Sequence, residues 1–199
     1  MTAAAASFRT ALTELFGLRH PILLAPMGGI SGGALAAAVT RAGGLGLIGP
    51  GYLGEEWIQR EFDAAGDARV GVGFITWELA RSPQRLAAAL SRKPSAAMLS
   101  FGDAAPYLDA VKSSGAKLIL QVQSVTAAKQ AVQLGADVIV AQGIEGGGHG
   151  AQCQGADRGR HRRRDLAHPG LRPRPRDRLA GAVYRPRIGQ RFLVALGRP

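Results

Sequence analysis

A chain of 199 residues with 46% hydrophobic content has enough apolar matter to bury the core of one domain or a little more, which excludes a wholly disordered chain. Its formal charge of +11 is not a property of that core: residues 1–150 hold 12 Lys+Arg against 11 Asp+Glu, while residues 151–199 hold 13 Arg against 3 Asp. The lone cysteine, Cys153, excludes an internal disulfide framework, and no apolar run reaches the roughly 18 residues of a membrane span. The opening "MTAAAASFRTALTEL" has no basic stretch ahead of an apolar one, so the expectation is a cytoplasmic protein without a membrane segment.

From residue 21 onward, short apolar runs alternate with alanine-rich amphipathic segments. The runs are "ILLA" (22–25), "LGLIG" (45–49), "VGVGFI" (70–75), "AAMLS" (96–100), "KLILQV" (117–122) and "DVIVA" (137–141), and each predicts a strand. Between them, "GALAAAVTRAG", "EEWIQREFDAA", "SPQRLAAALSR", "AAPYLDAVKSSG" and "VTAAKQAVQLG" predict helices, several closing on glycine or a basic residue. Strands that are apolar on both faces and alternate with helices require a parallel sheet covered by helices. Even spacing through six units favours an α/β fold of the (β/α)8 TIM-barrel type over an open doubly wound sheet. After Gly150 the next units of such a barrel are not legible.

In a barrel the functional residues collect where the strands end. These positions hold "PMGG" (26–29), "TW" (76–77), "SFGD" (100–103), Gln121 with Gln123, and "QGIEGGGHG" (142–150). The glycines of the last loop let backbone approach a ligand closely, with His149 held among them. A flexible surface loop would have the same composition, and the position at a strand end is what favours a site. "PMGG" reads equally as a plain turn or as exposed backbone around Gly28. Gln121 and Gln123 share one face of their strand, where buried amides need partners that either a heterocycle or trapped water would supply. Glu145 is left out of the catalytic set, and Trp57 and Trp77 read as packing residues. The glycines of "GGLGLIG" form a strand rather than opening a helix, so they do not make a dinucleotide fingerprint.

Taken together, "PILLAPMGGISGGALAAAVTRAGGLGLIG", "VGVGFITW", "LSFGD" and "LILQVQSVTAAKQAVQLGADVIVAQGIEGGGHG" resemble the nitronate monooxygenases, formerly called 2-nitropropane dioxygenases. The resemblance runs from about Pro21 to Gly150 and implies an FMN-binding TIM barrel that oxidises alkyl nitronates with O2 to a carbonyl compound and nitrite. It implies that Met27 and Gly28 contact the isoalloxazine through the backbone, with Pro26 also in the cofactor-binding set, that Gln121 hydrogen-bonds it, and that Gly147 and Gly148 pass close to the ring or ribityl chain. His149 matches the active-site histidine, which positions the substrate or takes the α-proton of a nitroalkane. The implied cofactor is FMN, and the implied partners are a small nitronate and O2. The sequence implies no metal and leaves a homo-oligomer open.

The chain also departs from the family. It has "GFITW" where relatives often carry an Asn-containing motif, and the two units that hold the FMN phosphate in the family are not recognisable after Gly150. The division expected is a partial FMN-binding barrel over residues 1–150 and an Arg/Pro/Gly-rich tail over 151–199, either disordered or the product of a shifted reading frame in a GC-rich gene. "GQRFLVA" (189–195) looks like a remnant of the family's last-strand loop arriving too soon, and the edges of the first and sixth strands are expected to be unpaired. Three other readings stand beside the first. One is an FMN-dependent enoyl-acyl carrier protein reductase, which shares the barrel and a similar glycine-histidine loop. Another is an inactive fragment. The last is non-specific nucleic-acid binding through the tail, disfavoured by the absence of a motif and of interleaved aromatics.

Overall fold

The computed structural model describes residues 9–143, His149 and the backbone of Phe192 and Leu193. Gly147, Gly148, Cys153 and the basic tail apart from residues 192 and 193 lie outside the described residues. Strands β1 (Leu47–Ile48), β2 (Gly71–Ile75), β3 (Ala96–Ser100), β4 (Lys117–Val122), β5 (Val138–Ala141) and β6 (Phe192–Leu193) form one parallel sheet in chain order. Helices α1 (Ala11–Phe16), α2 (Gly33–Arg41), α3 (Glu55–Ala65), α4 (Thr76–Leu79), α5 (Gln84–Leu90), α6 (Leu108–Ser113) and α7 (Val125–Gln133) accompany it, with a 3₁₀ turn at Ala105–Tyr107 ahead of α6. Neighbouring parallel strands joined by helical crossovers make this a partial (β/α) barrel. Among the described residues no helix is long and apolar enough to cross a membrane.

The sheet is apolar on both faces, and the two faces belong to two cores. Ile48, Val72, Phe74, Ala97, Leu99, Leu118, Leu120 and Ile139 pack outward against Ile58, Phe62, Leu86, Ala89, Val111 and Ala131 of the helices. The alternate residues Leu47, Met98, Ile119, Val138 and Val140 point to the other face, where Leu12, Leu15 and Phe16 of α1 join them. That helix was not among the sequence expectations. It forms because Thr10 and Thr13 make a reciprocal capping box and Gly17, at φ 68, ends it in the left-handed region. Its apolar residues cover the end of the inner face where the strands begin.

Two expectations about strands need correction. "ILLA" does not form a full strand: Leu23 makes a single parallel bridge to Leu45, with Leu24 N–H donating to Leu45 O and Leu45 N–H to Ile22 O, both at 2.9 Å. Prolines at 21 and 26 bracket the run and supply no N–H, which shortens any ladder it could make. The outer edge of β5 is not bare, because Ile139 and Val140 pair with Phe192 and Leu193. Residues 192–193, expected as a displaced remnant following no strand, are themselves strand.

Strand β1 lies close on α2. A Cβ built on Gly46 would fall 1.9 Å from the carbonyl oxygen of Ala36, so only glycine lets helix and strand approach this far. Gly46→Ala is expected to lower stability by about 1–3 kcal/mol, read as a drop of several degrees in Tm.

Candidate functional site

Parallel register decides which strand-end side chains meet. Ser100 of β3 is paired with Gln121 of β4, and its Oγ donates to Gln121 Oε1 at 3.0 Å. Ser100 is buried. With Oε1 engaged, the amide nitrogen is the group Gln121 can offer a ligand. One residue pair further on, Gln123 Nε2 donates to Gln142 Oε1 at 3.0 Å, and Gln142 Nε2 donates to the backbone oxygen of His149 at 2.8 Å. This relay fastens the histidine to the ends of β4 and β5. The face shared by Gln121 and Gln123 is therefore used by two separate pairs.

Three aromatic rings surround the His149 imidazole. Tyr52, on the turn after β1, places its hydroxyl 3.1 Å from His149 Nε2, with ring centroids 6.4 Å apart. Trp77 of α4 lies 6.2 Å from the imidazole and 6.0 Å from Tyr52, and Phe101, just past β3, lies 5.6 Å away. Trp77, read as a packing residue, packs its ring against Tyr52 and His149 rather than into the outer core. Trp57 does pack against the outer core. Phe101 holds its place at φ 61, a region costly for a residue with a bulky side chain, and its carbonyl accepts from Trp77 N–H at 3.2 Å. Arg81 lies over the Trp77 ring at 5.4 Å.

The "PMGG" turn stands beside this group. Met27 N–H donates to Ser31 Oγ at 2.7 Å, and Met27 O accepts from the N–H groups of Ile30 and Ser31, so both Met27 backbone groups are engaged within the turn. Gly28 N–H has no partner among the described residues. Gly28 faces Gly51: a Cβ on Gly51, at φ 57, would come 2.7 Å from Gly28 Cα. Pro26 closes over β2, where a Cβ on Gly73 would sit 2.3 Å from its Cγ. Thr76, the first residue of α4, buries an Oγ1 that has no hydrogen-bond partner among the described residues.

Beneath the Tyr52 turn lies Arg85. Its side chain is 5% exposed, Nη1 donates to the carbonyls of Gly51 (3.3 Å) and Leu53 (3.2 Å), and Nη2 reaches the Glu78 carboxylate at 3.0 Å and Glu78 O at 3.2 Å. One buried guanidinium thus ties the turn that carries Tyr52 to the helix that carries Trp77.

The structure therefore brings His149 together with Tyr52, Trp77 and Phe101, and sets Pro26, Met27, Gly28 and Gln121 at the same strand ends. Gly147 and Gly148 lie outside the described residues. Sequence reasoning missed Tyr52 and Arg85, and it placed Thr76, Phe101 and Gln142 at strand ends without singling them out. Tyr52 carried a usable signal, since it follows the run 45–49 at a strand end.

Residues 9–70 and 68–167 match the family profile described as nitronate monooxygenase. The chain belongs to the nitronate monooxygenase family. The profile continues past Gly150, where the resemblance read from the motifs stops. A nitronate monooxygenase of Paraburkholderia phytofirmans is 32% identical, over 71% of this chain and 50% of its own length. Among solved structures, nitroalkane oxidase from Streptomyces ansochromogenes is similar with a TM-score of 0.61 at 28% identity, covering 71% of this chain and 50% of that one. FabK from Thermotoga maritima is similar with a TM-score of 0.62 at 29% identity, covering 68% of this chain and 44% of that one. The chain thus spans about half the length of the family relatives it matches.

Proposed function

We propose that this site binds the ring of FMN and oxidises an alkyl nitronate with O2, yielding a carbonyl compound and nitrite, with His149 as the residue that meets the substrate. The observation that carries the reading is the placement of His149, beside the rings of Tyr52, Trp77 and Phe101, at the same strand ends as the Gly28–Gly51 approach and the Gln121 amide. Family membership supports it.

The residues fit a planar, hydrogen-bonding heterocycle. Gly28 and Gly51 leave backbone open where any Cβ would intrude, Gly28 N–H and the Gln121 amide nitrogen are donors, and the buried Thr76 hydroxyl has no partner among the described residues. Pro26 and Met27 shape the turn, with Gly28 as its available donor, while Gly147 and Gly148 would flank the ring from the loop before His149. FMN, when bound, would supply the electron transfer and oxygen chemistry. The protein's part is to hold the nitronate against the ring, to pack Tyr52, Trp77 and Phe101 around it so that water is displaced, and to present His149 to its charged oxygens. Nitronate and O2 are thus the small-molecule partners.

Gly51→Ala is expected to weaken FMN binding by roughly tenfold or more, because the new methyl group must displace Gly28 while holding a positive φ. Titration followed by quenching of flavin fluorescence measures this. The reading as a whole is tested by loading the full chain with FMN and recording oxygen uptake with propyl-2-nitronate. If uptake is absent while an enoyl thioester supports NADH-dependent flavin turnover, the oxidase reading is replaced by a reductase.

A further inference from the structure

We propose that Tyr52 is a positioning residue that fixes the proton on His149, donating its phenol hydrogen to Nε2 so that Nδ1 carries the ring N–H and His149 meets substrate as a hydrogen-bond donor. This rests on the nitronate reading above and specifies the form of substrate the site takes. The two atoms lie 3.1 Å apart. A neutral imidazole nitrogen is a better acceptor than a phenol oxygen, so the favourable arrangement has the tyrosine as donor. The ring nitrogen that accepts a hydrogen bond is the one without a proton, which places the N–H on the other. His149 Nδ1 has no partner among the described residues, so it is the nitrogen left for a ligand.

Both ends of the contact are held in place. The carbonyls on either side of Tyr52, those of Gly51 and Leu53, are bound by the buried Arg85, and the backbone of His149 is bound by Gln142. Trp77 contacts both rings, at 6.0 and 6.2 Å between centroids. A hydrogen bond between two anchored rings can set a tautomer, whereas one to a mobile side chain would average out.

The consequence is selectivity for the protonation state of the substrate. A nitronate arrives with its negative charge on two oxygens and gains from an N–H donor. A neutral nitroalkane needs a base, and in this tautomer the ring's lone pair is on Nε2 and already occupied by Tyr52. The site therefore turns over nitronates and discriminates against the corresponding nitroalkanes.

The test is long-range ¹H–¹⁵N correlation of the histidine rings in the full chain at a pH where the imidazoles are neutral, with His149 assigned by its loss in His149→Gln. The wild type is expected to carry the proton on Nδ1, and Tyr52→Phe, which keeps the ring and its packing, to move population to Nε2–H. In parallel, Tyr52→Phe is expected to lower turnover of preformed nitronate by roughly tenfold while narrowing the preference for nitronate over nitroalkane. A wild-type ring protonated on Nε2, or a tautomer unchanged in Tyr52→Phe, overturns the proposal. If the full chain with FMN shows no nitronate-dependent oxygen uptake, the functional reading fails while the ring spectra still decide the role of Tyr52.

Discussion

Replacing Arg85 with methionine lowers the free energy of unfolding by roughly 3–5 kcal/mol, the range for breaking a buried ion pair from one side. The size follows from what loses its partner. The carbonyls of Gly51 and Leu53 and the carboxylate and carbonyl of Glu78 all accept from this one guanidinium, whose side chain is 5% exposed against 14% for that of Glu78. Arg81 also contacts Glu78, at 3.4 Å and largely exposed, which offsets some of the loss. The stem of methionine fills part of the space, so the effect is one of unpaired polar groups more than of a cavity. Urea unfolding measures it through the midpoint at constant slope. A loss below about 1 kcal/mol would mean that water reaches these groups as readily as Arg85 does. Arg85→Met together with Glu78→Leu should recover part of the loss, because it removes the stranded charge.

The barrel pattern was legible because its physical cause is local. Each of the strands β2 to β5 falls within a predicted apolar run, since a strand buried on both faces must be apolar throughout. Helices α2, α3, α5, α6 and α7 fall within their predicted segments for the same reason. What was illegible depended on neighbours distant in sequence. Helix α1 is short, its local capping box is made by two threonines rather than a more familiar pair, and it joins a core cluster with Leu45, Ile119 and Val138, which its own periodicity does not encode. Pairing of Phe192 and Leu193 with β5 joins segments about fifty residues apart, and nothing in "GQRFLVA" specifies that register.

The candidate site divides along the same line. His149, Gln121 and the "PMGG" turn could be picked out because glycine, histidine and glutamine are unusual at the ends of apolar strands. Tyr52, Trp77 and Phe101 could not be separated from core aromatics by type. Their role emerges only when the turn after β1, the start of α4 and the residue after β3 converge on one imidazole. Arg85 falls within the predicted helix "SPQRLAAALSR", where nothing marks it out, and its side chain is buried under the turn that carries Tyr52.

His149→Ala is expected to lower kcat/KM for a preformed nitronate by about 10²–10³, the loss that follows removal of one donor from a developing or resident oxyanion. FMN affinity should change little, because the groups proposed to hold the ring are Gly28, Gln121 and the turn around Pro26 and Met27. The comparison that gives this experiment its force is His149→Gln. A glutamine side chain can still donate a hydrogen bond but has no basic nitrogen. If His149 works as a donor, the glutamine variant recovers a measurable part of nitronate turnover. If His149 works as a base, glutamine is as poor as alanine, and the wild type should consume neutral nitroalkane at a comparable rate. Oxygen uptake with each substrate form, normalised to bound flavin, distinguishes the two. An alanine variant that keeps more than about a third of wild-type kcat/KM would remove His149 from the reacting centre, because a lost donor costs far more than that.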